Sequence, residues 1–400
     1  MITKKQFALT ITLFLLAISL SNCGGNKQQI TWTGGEAQPE NTTKPILNVY
    51  IENSGSMDGY MCDSSELKDA VYSYVSALDT YADTTRLFFI NSMIIPRNVS
   101  IKKFIYDLTP SVFKNAGGSR GNSDIADMFE QMLARSNDKT ISIFVSDCIL
   151  DVPDGNATNF FNLKETQICN ALRKYYNNHP KFGVEVLRLE SLFNGTYYYY
   201  HSNETLSKVH RPYFMIIMGN KDLLALVNKK FPPSKEIKHG IKNSAAFTSQ
   251  CEIPYTISNS LGFTGKKKDK NQVIVSGNEF LITADYSQTL QPNEVLSDIS
   301  NFKSSYKPIS VKSITEYQAD DHFTHVLSMS VNGDIQPTSV ILQFIQPTMP
   351  TWVAEYNDDN GREIKKNIEK TSGIKYIIQG IANTFKNEKP SDVNFVINNK

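Results

Sequence analysis

The chain has no surplus of charge of either sign: 41 Lys and Arg stand against 40 Asp and Glu in 400 residues. That balance removes the basic footprint of a nucleic-acid binder and any general pull toward acidic surfaces. Familiar catalytic signatures are missing too. There is no Walker-type phosphate loop, no H-E-x-x-H zinc helix and no C-x-x-C pair, and the six histidines fall in no recognised pattern. The apolar run Phe7 to Leu20 falls short of the ~20 residues that a membrane-spanning helix requires. No internal repeat is visible.

What is present suits a globular protein with ample core material: 40% hydrophobic, 11% aromatic and 20% charged residues. At about one domain per ~150 residues, the length suggests two domains and a leader. Lys4 and Lys5 before the run Phe7 to Leu20 give residues 1–22 the pattern of an export signal peptide. The following Leu20-Ser21-Asn22-Cys23-Gly24-Gly25 resembles the lipobox of bacterial lipoproteins, with Asn22 where a small residue is usual. The resemblance implies cleavage before Cys23 and acylation of its thiol with palmitate-type chains. A protein so modified is lipid-anchored in the bacterial cell envelope, with the outer membrane expected and a periplasmic or external orientation left open. The other reading is a plain secretory signal with an incidental cysteine. Residues 23–44, rich in Gly, Gln, Thr and Asn, read as a flexible tether.

From 45 to 235 strand-like and helix-like segments alternate. Strands are expected at Ile46 to Glu52, Arg86 to Asn91, Thr140 to Ser146, Val184 to Leu189 and Tyr213 to Met218. Helices are expected around Ser65 to Tyr81, Ala126 to Ala134 and Leu163 to Tyr176, and after Asn220; Val99 to Tyr106 is a β-branched stretch. The alternation predicts a doubly wound, mostly parallel α/β sheet with ligands beyond the carboxyl ends of its strands. From 240 to 400 runs such as Gln272 to Ala284, Ile309 to Tyr317, Val326 to Val331 and Thr338 to Phe344 alternate apolar and polar residues, predicting a smaller β-rich domain. It closes on an amphipathic helix, with Ile374, Ile377, Ile378, Ile381 and Phe385 on one face. Lys266, Lys267, Lys268 and Lys270 read as a solvated loop tip, and Tyr197 to Tyr200 as cross-strand packing in a hairpin or else a binding surface.

The chemistry concentrates after the first strand. Glu52, Ser54, Gly55 and Ser56 place two hydroxyls and a carboxylate on a loop that Gly55 allows to turn tightly, an oxygen-only set suited to Mg²⁺, Ca²⁺ or Mn²⁺. Gly121-Asn122-Ser123-Asp124 precedes a helix and offers a third hydroxyl at Ser123, and the strand Ile141 to Ser146 ends on Asp147. In this order the three segments resemble the D-x-S-x-S loop, the hydroxyl-bearing loop and the late aspartate of von Willebrand factor type A domains, with Glu52 in place of the first aspartate. The resemblance implies a metal-ion-dependent adhesion site of Glu52, Ser54, Ser56, Ser123 and Asp147. It also implies a divalent ion, Mg²⁺ before Ca²⁺ or Mn²⁺, bridging to an acidic residue of a partner protein. In the resembled fold the strands preceding Cys62 and Cys148 are neighbours, which raises a disulfide between those two; the alternative is four buried thiols at Cys62, Cys148, Cys169 and Cys251. Two further functional readings stay open: a metal-dependent hydrolase of envelope polymers or phosphoesters, and a metal-free scaffold whose serines only cap a helix or close a turn.

Overall fold

A computed structural model describes residues 28–33 and 42–399, apart from 64, 122–123, 151–156, 200–201, 260–270, 276, 319–321, 334 and 360–363. The export signal, Cys23, Ser123 and the lysine cluster lie outside the described residues.

The first described strand, β1 (Gln28–Thr31), falls inside the expected tether. It pairs with two strands from the far end of the chain, and Ile30 and Trp32 are buried there, so this part of the tether is built into a sheet.

The main sheet holds seven strands. These are β2 (Ile46–Glu52), β3 (Thr84–Ile90), β4 (Ile94–Pro96), β5 (Thr140–Ser146), β6 (Phe182–Tyr199), β7 (Ser202–Asn220) and β8 (Asn243–Thr248), in the order β4-β3-β2-β5-β7-β6-β8. Only β2 with β3 and β2 with β5 are parallel; every other neighbour is antiparallel. The expectation of a doubly wound, mostly parallel sheet is therefore wrong: the sheet is mixed. The reason lies between β6 and β7. Parallel neighbours need a crossover of a dozen or more residues, whereas these long strands turn directly into one another as a hairpin. The run Tyr213 to Met218 is buried on both faces, and double burial makes a strand uniformly apolar whichever way it runs.

Helices cover both faces. Leu47, Val49 and Ile51 of β2 point toward helix Glu66–Asp79, which buries Leu67, Val71, Tyr74, Val75 and Leu78. Tyr50, on the opposite face, stacks on Phe88 with ring centroids 4.8 Å apart. That face is covered by helices Ile125–Leu133 and Ala157–Tyr176 and by the C-terminal helix Ile374–Thr384. The C-terminal helix has the expected apolar stripe, but the stripe faces this sheet rather than the β-rich part. The β-branched stretch Val99 to Tyr106 is helical over Ile101–Tyr106, opened by Ser100, whose hydroxyl accepts from Lys103 N at 3.3 Å.

The remaining strands form a sandwich. β9 (Tyr255–Ser258), β11 (Glu279–Ala284), β13 (Ile309–Glu316) and β14 (His325–Val331) make one antiparallel sheet. β10 (Gln272–Val275), β12 (Phe302–Ser304), β15 (Thr338–Phe344) and β18 (Ser391–Asn399) join β1 in the other. The two sheets share one core, in which Phe280 meets Phe395 edge-on at 5.7 Å. Two short strands, β16 (Asn357–Asp358) and β17 (Thr371–Ser372), pair in parallel and lead into the C-terminal helix. Although the sequence changes texture near residue 240, β8 and the last helix belong with the main sheet, so the chain returns to it twice.

The last helix lies close against helix Ala157–Tyr176 at Gly380, where an added Cβ would stand 2.7 Å from the Glu165 carbonyl oxygen. Gly380→Val is expected to lower stability by about 1–3 kcal/mol through this overlap. Thermal unfolding followed by circular dichroism measures the change, and an unaltered midpoint would mean the helix can lift away freely.

Candidate functional site

The parallel register sets the site. Ile51 pairs with Val145, so Glu52 at the end of β2 lies beside Ser146 at the end of β5, and the loops that follow leave the sheet together. The Ser146 hydroxyl donates to Glu52 Oε2 and accepts from Cys148 N at 2.7 Å. Glu52 is 1% exposed and Asp147 is 2% exposed, so two carboxylates are buried at one strand edge.

Beyond β2, Ser54 Oγ and Ser56 Oγ are 3.1 Å apart. The Ser56 hydroxyl lies near enough to Asp147 to act on its carboxyl, which brings the two loops together. Burial raises Asp147 above the usual carboxylate range, opposed by the Ser56 hydroxyl and the Arg211 guanidinium. Its Oδ1 accepts from Ile149 N at 3.4 Å, whereas its buried Oδ2 has no hydrogen-bond partner among the described residues. Ser54 thus lies beside Ser56, Ser56 near Asp147 and Glu52 against Ser146; Ser123 lies outside the described residues. Among the described residues no three His, Cys, Asp or Glu side chains converge, so any cation here depends on the serine hydroxyls.

Several residues that hold this loop carry no local sequence signal. Arg120 Nε donates to Asn53 O at 2.8 Å, one terminal nitrogen donates to Ser54 O at 3.0 Å, and the same nitrogen forms an ion pair with Asp58. In return Gly55 N donates to Arg120 O at 3.2 Å. Asn53 is fixed by Asn91, whose amide donates to it at 2.6 Å and to Gly117 O at 2.9 Å. Gly118, at φ +73°, must be glycine: a Cβ there would come within 2.0 Å of Asn91 Oδ1.

The β6–β7 hairpin forms the opposite wall. Gly195 crosses so close to the turn after Ser56 that a Cβ on it would lie 2.7 Å from Gly59 Cα. Tyr197 is buried with Arg211 stacked over its ring at 4.5 Å, and the exposed Tyr198 leans on Gly55. Of the tyrosine run, Tyr197 therefore packs within the hairpin, in part by cation–π contact. Arg211 is itself fully buried, and its terminal nitrogens donate to Ile368 O at 3.0 Å and Lys370 O at 3.4 Å.

No disulfide joins Cys62 to Cys148. Cys62 Sγ donates to Leu192 O on β6, whereas Cys148 is buried among Phe144 and Leu150 on the other face of the sheet, with its thiol pushed up by burial.

No family model, curated protein or solved structure matches this chain. The site must be judged on its own donors. These fit a hard divalent cation: every candidate ligand is an oxygen, two are carboxylates, and one carboxylate oxygen is buried with no hydrogen-bond partner among the described residues.

Arg120→Ala removes three bonds to the loop and is expected to cost about 1–3 kcal/mol of stability. Arg120→Lys should recover only part of this, because one ammonium cannot reproduce the fork of a guanidinium. Urea unfolding of the two variants beside wild type gives both values.

Proposed function

We propose that this chain is a non-enzymatic binding protein of the bacterial cell envelope, lipid-anchored through Cys23, that uses a divalent cation at Ser54, Ser56 and Asp147 to engage an acidic side chain of a partner protein. The observation that carries this reading is the buried Asp147 Oδ2, without a hydrogen-bond partner among the described residues, on a carboxyl that the Ser56 hydroxyl acts on. A buried carboxylate oxygen left without a donor is costly, and a cation there would offset that cost. The bound ion would supply a coordination position open to an incoming carboxylate.

The protein's own groups have separable parts in this reading. Ser54 and Ser56 give neutral oxygens that adjust by rotating their hydroxyls. Asp147 gives charge. Glu52, held by Ser146, adds a second negative charge at the strand edge without needing to touch the ion. Arg120 pairs with Asp58 and holds the loop shape, which keeps its positive charge out of the candidate ligand set. The exposed Tyr198 stands next to Gly55, where it would meet the partner. The reading rests on these donors and not on a doubly wound fold.

Calorimetric titration with Mg²⁺ and Mn²⁺ tests the metal. Wild type should bind at millimolar cation or better, Asp147→Asn should weaken binding by more than about tenfold, and Glu52→Gln should weaken it less. Absence of wild-type binding at millimolar cation would refute the proposal. For the partner, capture from envelope extract should be lost on adding chelator and restored by Mg²⁺.

A further inference from the structure

Away from the strand-edge site, the middle of the sheet contains a buried acid. Glu185 lies on β6 between Ile217 of β7 and Ala246 of β8, and it is 5% exposed. Its Oε1 accepts from Asn228 Nδ2 at 2.8 Å, a bond that joins the sheet to helix Lys221–Lys230. The other two oxygens of the pair are left over. Glu185 Oε2 and Asn228 Oδ1 are both buried and, among the described residues, neither has a hydrogen-bond partner. Both are acceptors as long as Glu185 is a carboxylate, and each carries the cost of an unsatisfied polar atom.

We propose that Glu185 is protonated in the folded protein, donating Oε2–H to Asn228 Oδ1, so that acid and amide form a closed two-bond pair that latches helix Lys221–Lys230 to the sheet by a proton. A single proton then satisfies both orphaned oxygens. Among the groups that shift Glu185, only the Asn228 amide favours the charged form. Helix Glu66–Asp79 contributes the buried Tyr74, helix Pro233–Glu236 contributes Glu236, which acts with Glu185 on the Tyr74 hydroxyl, and β7 and β8 contribute apolar Ile217 and Ala246. Lys229 and Lys230 flank Asn228 but are exposed, with Lys230 over the Tyr81 ring at 5.2 Å. No cation is among the groups that shift Glu185, and burial pushes it up to about 7 against the Asn228 hydrogen bond.

The direction of the pH effect follows. The unfolded chain releases this proton at the ordinary glutamate value, about 4.3, while the folded chain keeps it until about 7. Between those values the folded state binds more protons, so stability falls as pH rises and levels off once the folded group has ionised. Above neutrality the Oε2–H bond is lost, and the helix keeps the Asn228 Nδ2 bond to Glu185, the contacts of Lys221 and Asp222, and its apolar face through Leu223, Leu224, Leu226 and Val227.

The test is a carbon-detected NMR titration of glutamate side-chain carboxyls on the full chain, from about pH 4 to about pH 9, with Glu185→Gln as the assignment control. One resonance should titrate with a midpoint near 7 and vanish in the variant. Urea unfolding should show wild-type stability declining between about pH 5 and about pH 8, and Glu185→Gln losing the part of that slope due to one proton. If every glutamate titrates below about 5, or if the variant keeps the full wild-type slope, the latch does not exist. Should Glu185→Gln fail to fold, the wild-type titration decides: a glutamate carboxyl with a near-neutral midpoint supports the latch, and its absence overturns it.

Discussion

Two carboxylates buried side by side at the end of a parallel strand pair are the constraint around which the site is arranged. Charge of one sign cannot be taken out of water in two neighbouring places without compensation, and each has its own. Glu52 is held by the Ser146 hydroxyl one strand away, and Asp147 accepts from Ile149 N, with the Ser56 hydroxyl and the Arg211 guanidinium acting on its charge. The β2–β5 register makes this geometry compulsory, since Glu52 cannot sit beside Ser146 without bringing the Ser54–Ser56 loop next to Asp147.

The hairpin then explains why those loops stay ordered against each other. β6 and β7 run on past the core of the sheet, and their extension crosses the turn after Ser56 at a Gly59–Gly195 contact that leaves no room for a side chain. Arg211 ties the base of this wall to the segment before β17, and Ser372 in β17 exchanges bonds with Leu150 just after Asp147. A residue more than two hundred positions away in the chain thus braces the loop that carries the candidate ligand. Rigid support of this kind is what a binding loop needs if ordering is not to be subtracted from its affinity.

Much of the site could be read from the sequence, because its signals are local. The apolar run into Glu52, the hydroxyl spacing of Ser54 and Ser56, and the strand ending on Asp147 each lie within a few residues, as does the stripe from Ile374 to Phe385. Strand direction was not legible. An apolar run such as Tyr213 to Met218 encodes burial, not polarity, and the parallel reading of β6 and β7 failed there. Nor could β1 be seen: four residues in a polar segment become a strand only because β10 and β18 arrive from beyond residue 270. Arg120, Arg211 and Glu185 escaped for the same reason, since their roles come from partners 43 to 159 positions away. Cys62 and Cys148 show the converse error, in which neighbouring strands suggested a bond that the two side chains do not make.

The most direct measurement of the central claim is an anomalous diffraction map from crystals grown with Mn²⁺, collected where that metal scatters anomalously. The expected result is one strong peak within coordination distance of Ser54 Oγ, Ser56 Oγ and the Asp147 carboxylate, absent from crystals of Asp147→Asn. A map with no peak there, with Asp147 Oδ2 instead bonded to a protein donor such as Arg211, would contradict it.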